Sequence, residues 1–259
     1  MPELIFKARK LLRIMRVRVW WATLCRYRVA AGVEHATVLH NIGQLGFIVD
    51  VGANRGQFVL VARRCFPAAQ IISFEPLSAP AGIFREIFAN DQKVVLHEAA
   101  IGPEAGEAII HLSERDDSSS LLPITTRQNM LFPGTAEVGV ATIKVVRLSD
   151  YVSRENITVP ALLKLDVQGF ELQALVGCED VLEYFSWVYV ECSFVELYAG
   201  QATADAVIAW LRERGFVLVG VYHMSYEEKG GAVQADFLFR RVDKDISYFY
   251  CDTKSVDGN

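Results

Sequence analysis

The sequence predicts an α/β domain built on a mostly parallel sheet. Short apolar runs alternate with segments of helical periodicity over about 200 residues, which is typical of strands joined by crossover helices. Hydrophobic residues make up 52% and charged residues 22%, as expected for a globular core and not for a disordered chain. The length of 259 residues suits one large domain.

Charge and cysteine usage exclude several classes of protein. The net charge of −5 predicts no nucleic-acid partner, because such binding needs a strongly positive surface. No apolar run approaches the roughly eighteen residues of a membrane-spanning helix. The cysteines are odd in number, scattered and without a C-x-x-C pair. We therefore expect neither disulfides nor a zinc site, and a reducing, cytoplasmic location.

Residues 1–40 are predicted to form a basic, amphipathic helical extension. Residues 1–30 hold eight basic side chains and one acid, a net charge of +7. At 100° per residue, one face collects apolar side chains. They are Leu4, Ala8, Leu11, Leu12, Met15 and Val19. We favour packing of this face on the main domain. The alternative is peripheral docking on an anionic membrane or a lipid-linked substrate, which the pair Trp20-Trp21 also suits.

The main domain is predicted over residues 41–251, and its first half follows strand–helix order. The predicted strands are Phe47–Val51, Gln70–Phe74 and Val94–Glu98, with helices at Gln57–Cys65 and Ala79–Ala89. Gly52 ends the first strand, and the first helix stops before Pro67.

The pattern changes in the middle of the chain, where Ala108–Leu112 and Thr142–Leu148 predict an inserted β-hairpin. A polar loop with Ser118-Ser119-Ser120 joins its strands. A short helix is expected at Tyr151–Glu155, capped by Ser149 or Asp150.

Strand–helix alternation then resumes towards the end of the chain. The expected strands are Ala161–Asp166, Trp187–Glu191, Phe216–Tyr222 and Asp236–Arg240, with helices at Phe170–Val176 and Thr203–Arg214. Residues 252–259 are predicted to be a polar tail.

In open parallel sheets, ligands bind outside the carboxyl ends of the strands. Most residues at these positions are acidic or small, which is unusual for plain turns. They are Asp50–Gly56, Glu75, Glu98, Asp166–Gly169, Glu191 and His223. This is the first indication of a functional site.

The turn from Asp50 to Gly56 predicts a cofactor loop, since its glycines permit a sharp turn and close approach of a ligand. A dinucleotide fingerprint G-x-G-x-x-G would need glycine where Asn54 and Gln57 stand. The pattern D-x-G-x-N-x-G instead matches the loop that holds the methionine end of S-adenosylmethionine, because Asn tolerates positive φ.

Glu75 ends the second strand, 25 residues after Asp50. A carboxylate at this place can accept both hydroxyls of a ribose. Glu75 therefore supports an adenosine-bearing cofactor, but it does not distinguish a dinucleotide from S-adenosylmethionine. A nucleotide (NAD)-dependent oxidoreductase therefore stays an alternative. A non-catalytic surface-docking module on the same fold is another.

Three motifs in order resemble the FkbM family of S-adenosylmethionine-dependent methyltransferases. They are Val49–Gly56, Phe74-Glu75-Pro76 and Leu163–Glu171. The likeness runs from about Gly46 to Arg240. It implies a class I, Rossmann-like fold with a seven-stranded sheet whose last strand is antiparallel. It also implies O-methylation of hydroxyls on sugars, glycolipids or secondary metabolites. Gln168 stands where the family often has Glu.

Methyl transfer needs the acceptor oxygen in line with the departing sulfur and a base for its proton. Three strand-end residues are candidate catalytic groups: Asp166, Glu191 and His223. Asp166 can alternatively bind the amino group of the cofactor. The serine loop is a candidate lid. The candidate cofactor-binding set is Asp50, Gly52, Asn54, Gly56, Glu75, Glu98, Ser119 and Asp166.

No metal is expected, although Asp116-Asp117 offers oxygen ligands, because no partner set accompanies that pair. Four histidines show no ligand spacing and are interpreted as structural: His35, His40, His97 and His111. The expected acceptor is a small molecule or a glycan.

Overall fold

The computed structural model describes the backbone of residues 2–242, with side chains from residue 8. The predicted tail, residues 252–259, and the end of the predicted domain at residue 251 lie outside the described residues. Seven strands form the main sheet. They are β1 (Phe47–Val51), β2 (Gln70–Phe74), β3 (Val94–His97), β7 (Ala161–Leu165), β8 (Trp187–Ser193), β9 (Phe216–Tyr226) and β10 (Ala232–Arg241).

The strand order is β3-β2-β1-β7-β8-β10-β9. The five strands β3, β2, β1, β7 and β8 run parallel to one another. Strand β10 lies between β8 and β9 and is antiparallel to both. This confirms the predicted α/β class and the antiparallel last strand. The chain reverses its direction of progress across the sheet between β1 and β7, where such sheets bind ligands.

Helices cover both faces of the sheet. They are α3 (Ala36–Ile42), α4 (Gln57–Cys65), α5 (Ser78–Phe88), α7 (Glu171–Gly177), α8 (Glu179–Leu182) and α9 (Ala204–Glu213). Helices α7 to α9 pack on one face, and α3 to α5 pack on the other. Because both faces are covered, the central strands β1 and β7 are buried at every position, which explains their continuous apolar runs.

The predicted insertion is a second, three-stranded sheet of order β4-β6-β5. Its strands are β4 (Ala100–Ile101), β5 (Gly106–Ser113) and β6 (Glu137–Val146). Strands β5 and β6 pair antiparallel, which confirms the hairpin. The loop between them also holds a helix that sequence did not predict, α6 (Thr126–Leu131).

The prediction of a helix at Tyr151–Glu155 is wrong. Two single 3₁₀ turns, Leu148–Asp150 and Arg154–Asn156, occupy this region. The side chains of Asp150 and Asn156 accept hydrogen bonds from backbone N–H groups three residues earlier. Such local side-chain bonds compete with a continuous helix.

The N-terminal extension consists of two helices, α1 (Pro2–Met15) and α2 (Arg18–Tyr27), followed by a 3₁₀ turn at Val33–His35. The prediction that the apolar face packs on the domain is wrong. From residue 8 onwards, where side chains are described, every member of that face is exposed, and Ile14 and Trp20 are buried in its place. The indole of Trp20 donates to the Leu60 carbonyl at 3.0 Å, which ties α2 to α4. No described helix is long and apolar enough to cross a bilayer.

Candidate active site

A cavity of about 640 Å³ lies at the carboxyl ends of β1, β2, β7 and β8. Its volume falls in the range of small-molecule sites. Six of the predicted site residues line it: Gly52, Asn54, Glu75, Ser119, Asp166 and Glu191. Four do not, and they are treated below: Asp50, Gly56, Glu98 and His223.

The glycine turn forms one wall of the cavity. Gly52 has φ +79°, and a Cβ there would lie 1.9 Å from the carbonyl oxygen of Asp166. Asn54 has φ +46°, the left-handed conformation that the sequence pattern predicted. The N–H groups of Gly52 and Ala53 both donate to the Phe74 carbonyl at 3.0 Å. The turn is thereby held against the end of β2.

Glu75 faces this turn from the end of β2. Its two carboxylate oxygens accept the N–H groups of Asn54 at 2.9 Å and of Leu77 at 2.8 Å. Burial raises the pKa of Glu75 to about 7. Each oxygen keeps a further lone pair, so the group can still accept ribose hydroxyls. The turn, this carboxylate and the open cavity between them fit S-adenosylmethionine.

Asp50 does not reach the cavity, because it is fully buried beneath the turn. Its carboxylate lies 3.0 Å from the ammonium of Lys164, the residue opposite it in the β1–β7 pairing. Lys164 also donates to the Gly52 carbonyl at 3.2 Å and lies 3.7 Å from Asp166. Although burial by itself lowers it, the neighbouring carboxylates hold the pKa of Lys164 above its usual value. Asp50 therefore supports the turn through Lys164.

Two other residues predicted to bind the cofactor, Gly56 and Glu98, do not line the cavity. Gly56 has φ +87° and begins α4, where a Cβ would lie 2.5 Å from the ring of Phe88. Glu98 is bound at the surface by Arg85 at 2.9 Å and by Ser78, and these bonds keep its pKa low. The residues just after it, Ala99–Ile101, line the cavity instead.

Two carboxylates line the cavity at the ends of β7 and β8, those of Asp166 and Glu191. The amide of Gln168 donates to Asp166 at 2.8 Å and to Glu191 at 3.1 Å, and Gln234 donates to the second oxygen of Glu191 at 3.0 Å. Burial and the nearby Asp166 raise the pKa of Glu191 well above its usual value. Gln168 itself has φ +55°, and its amide oxygen lies 2.8 Å from the hydroxyl of Tyr198.

His223 lies behind the cavity, in a network that ends on another histidine. Its Nδ1 is 2.7 Å from Asp236, which also accepts the hydroxyl of Tyr189 at 2.6 Å. That hydroxyl is 3.0 Å from Nδ1 of His35, a residue that lines the cavity. Burial lowers the pKa of His35, so its ring is neutral near neutral pH. Sequence reasoning missed His35, because only the fold joins it to Tyr189.

The insertion loop closes one side of the cavity. Asp116 forms an ion pair with Arg55 of the glycine turn. The hydroxyl of Ser120 donates to the Gln168 carbonyl at 2.6 Å. Ser119 lines the cavity, and its hydroxyl accepts the Ser113 N–H at 3.1 Å. These contacts tie the loop to the glycine turn and to the loop after β7, and its role as a lid stays a prediction.

The N-terminal extension forms a further wall of the cavity. The sequence did not predict this, because the extension lies outside the predicted main domain. Lys10 and Arg28 line the cavity, as do Glu34 and His35. Lys10 and Glu34 form an ion pair at 2.9 Å, which fastens α1 to the 3₁₀ turn after α2.

Comparison with known proteins identifies relatives of this chain. The Methyltransferase FkbM domain matches residues 50–218. The chain is 28% identical over 167 residues to 2-O-methyltransferase NoeI of Sinorhizobium fredii, over 62% of this chain and 69% of that protein. It is 26% identical over 193 residues to 31-O-demethyl-FK506 methyltransferase FkbM of Streptomyces tacrolimicus, over 66% and 73%.

The crystal structure of TehB from Haemophilus influenzae aligns with a TM-score of 0.48 at 8% identity, over 86% of this chain and 67% of that one. The domain match covers more than half of the chain and includes the glycine turn, Glu75 and the Asp166 loop. The chain therefore belongs to the FkbM methyltransferase family, and it is an S-adenosylmethionine-dependent methyltransferase.

Proposed function

We propose that this protein transfers a methyl group to a hydroxyl of a sugar, a glycolipid or another small metabolite. One observation carries the proposal: the carboxylates of Asp166 and Glu191 share the amide of Gln168, and both line the cavity that the glycine turn also lines. A hydroxyl acceptor must lose a proton, so it needs a base at this place. The names of the two relatives above, both of them O-methyltransferases, point the same way.

S-adenosylmethionine supplies an electrophilic methyl carbon. Glu75 is placed to bind the ribose hydroxyls, and the backbone of Gly52 and Asn54 to approach the methionine end. Asp166, beside Lys164, is placed to bind the amino group or the acceptor hydroxyl. The insertion loop and the N-terminal extension both line the cavity and are placed to limit the access of water to bound ligands.

Glu191 is the better candidate for the base. Burial and the nearby Asp166 raise the pKa of Glu191, which makes its carboxylate a stronger proton acceptor than an exposed one. Both of its oxygens are oriented by amide donors, so its position is set before an acceptor binds. His223 is 2.7 Å from Asp236 and does not line the cavity, so we assign it a supporting role behind His35.

The family match favours methyl transfer over the nucleotide-dependent oxidoreductase considered from the sequence. Titration calorimetry separates the two, because S-adenosylhomocysteine should bind and NAD should not. The acceptor class is tested by incubating the protein with S-adenosylmethionine and a panel of sugars, glycolipids and polyketides. We expect a product heavier by one methylene, with the new methyl group on oxygen. Methylation found only on nitrogen or carbon would contradict the proposal.

The catalytic assignment is tested with the acceptor found in that panel. Glu191→Gln should lower kcat with little change in the affinity for S-adenosylhomocysteine, and Glu98→Gln is the matched control. An unchanged kcat in Glu191→Gln would remove Glu191 from the mechanism.

A further inference from the structure

The two N-terminal helices present an apolar face that no described part of the chain covers. Five large apolar side chains within eleven residues are exposed: Leu11 (44%), Leu12 (56%), Met15 (51%), Val19 (64%) and Trp21 (41%). We call these five residues the N-terminal apolar face, in which Val19 and Trp21 lie on either side of the buried Trp20 of α2. On α1, Leu11, Leu12 and Met15 are neighbours at helical spacing, so they form a continuous strip.

The opposite sides of the same helices anchor them to the domain. Ile14, Trp20 and Thr23 are buried, and the indole of Trp20 is bonded to α4. The ion pair of Lys10 with Glu34 adds a second attachment. Rotating the helices to bury the apolar face would break these contacts. Exposure of the face is therefore built into the fold.

The same two helices, the turn between them and the residue after them carry exposed arginines. Arg9, Arg13, Arg16, Arg18, Arg26 and Arg28 are exposed, and within residues 8–242 none of them forms an ion pair with an acidic side chain. Arg13 and Arg16 line a groove with Arg64 and His40, floored by Trp20. A concentration of cations beside an apolar strip is complementary to phosphate headgroups over acyl chains.

We propose that the N-terminal apolar face docks on the surface of an anionic phospholipid bilayer. The leucines, Met15 and Val19 would enter the boundary between headgroups and acyl chains, and Trp21 suits the headgroup zone. The arginines of the groove would bind lipid phosphates. A second copy of the chain fits less well, because a two-fold contact through this face would bring arginines against arginines.

Docking in this way also sets the position of the active site. Lys10 and Arg28 belong to the same N-terminal segment and line the cavity. Because α1 lies between its apolar strip and Lys10, the cavity wall would then lie about one helix diameter, roughly 10 Å, from the lipid surface. The docking proposal does not depend on the proposed acceptor class, since vesicle binding is measured without any acceptor.

The test is co-sedimentation of the full chain with vesicles of three parts phosphatidylcholine to one part phosphatidylglycerol. We expect binding to these vesicles, weak binding to pure phosphatidylcholine, and release as salt rises from about 0.05 M to about 0.5 M. The double variant Leu12→Gln/Met15→Gln should lower the partition coefficient by about tenfold or more. Arg13→Gln/Arg16→Gln should lower it in low salt only.

Met130→Gln is the matched control, because Met130 is 79% exposed on α6, away from the arginine groove. All variants should bind S-adenosylhomocysteine as the parent chain does, which shows that they fold. Equal vesicle binding by Leu12→Gln/Met15→Gln and Met130→Gln would overturn the proposal, as would no binding to anionic vesicles in low salt. Self-association lost in Leu12→Gln/Met15→Gln, without vesicle binding, would instead identify a second copy as the occupant.

Discussion

The conformation at position 52 shows how one residue type sets the cofactor turn. The backbone at Gly52 has φ +79°, a conformation that residues with a side chain rarely adopt. A Cβ at this position would also lie 1.9 Å from the Asp166 carbonyl oxygen, so there is no space for a side chain. The same close approach brings β1 and the loop after β7 together, and Lys164 bridges them from below. The turn and the Asp166 loop therefore depend on each other.

We predict that Gly52→Ala destabilises the protein by about 1–3 kcal/mol and abolishes most S-adenosylhomocysteine binding, since the turn must move to admit a methyl group. Urea unfolding and calorimetry measure the two effects. Gly106→Ala is the control, because a Cβ at Gly106 meets nothing within 4 Å. Normal ligand affinity in Gly52→Ala would show that the turn does not contact the cofactor.

Glu75 gives a pH-dependent prediction. Its pKa of about 7 in the folded protein lies above the value of an exposed carboxyl group. The protonated form is therefore favoured by folding, and this contribution to stability is lost as pH rises towards 7. Ligand binding should respond in the opposite sense, because only the carboxylate can accept both ribose hydroxyls.

We therefore expect the affinity for S-adenosylhomocysteine to rise between about pH 6 and about pH 8, as Glu75 ionises. In Glu75→Gln the affinity should fall by about tenfold to 100-fold and lose most of this pH dependence. Calorimetry over that pH range is the measurement. A parent-like pH profile in Glu75→Gln would assign the titration to another group.

At the scale of elements, the pairing of β1 with β7 joins two opposite charges in the centre of the sheet. Asp50 is opposite Lys164 in the register, and both side chains are buried on the face that α4 covers. Neither the strand pattern nor residue spacing predicted this pair, because 114 positions separate its members and only sheet order makes them neighbours. The predicted strands themselves agree with the structure to within a few residues in most cases.

We predict that Lys164→Met destabilises the fold by about 3–5 kcal/mol, because it leaves the carboxylate of Asp50 buried without a partner. Asp50→Asn/Lys164→Met should recover much of that loss, since no charge remains to be desolvated. Chemical denaturation of the two single variants and the double variant measures the coupling. Additive effects would mean that the ion pair makes no net contribution.

At the scale of the whole molecule, three segments distant in sequence build one cavity. The sheet supplies the glycine turn and the acidic groups, the insertion supplies the serine loop, and the extension supplies Lys10, Arg28 and His35. The extension is thus a structural part of the enzyme. Its attachment depends on Ile14 and Trp20, whereas its other face stays in solvent.

The two adjacent tryptophans of α2 test which side of the extension packs on the domain and which side stays in solvent. Trp20→Ala should destabilise the protein by about 3–5 kcal/mol, because it empties a packed site and removes the bond to Leu60. Trp21→Ala should change stability little and weaken vesicle binding. Thermal unfolding and co-sedimentation measure the two effects. Similar losses of stability in both variants would contradict the orientation of α2.

Local sequence patterns were enough to predict the parallel sheet, the inserted hairpin, the glycine turn and the placement of Glu75 beside it. These features follow from periodicity and backbone conformation, which are properties of neighbouring residues. The tertiary structure decided which side chains meet: Asp50 with Lys164, His35 with Tyr189, and Gln168 with both Asp166 and Glu191. It also decided that Trp20, and not the leucine face of α1, is buried. An amphipathic pattern shows that a helix has two faces, but the surface it packs against determines which one is buried.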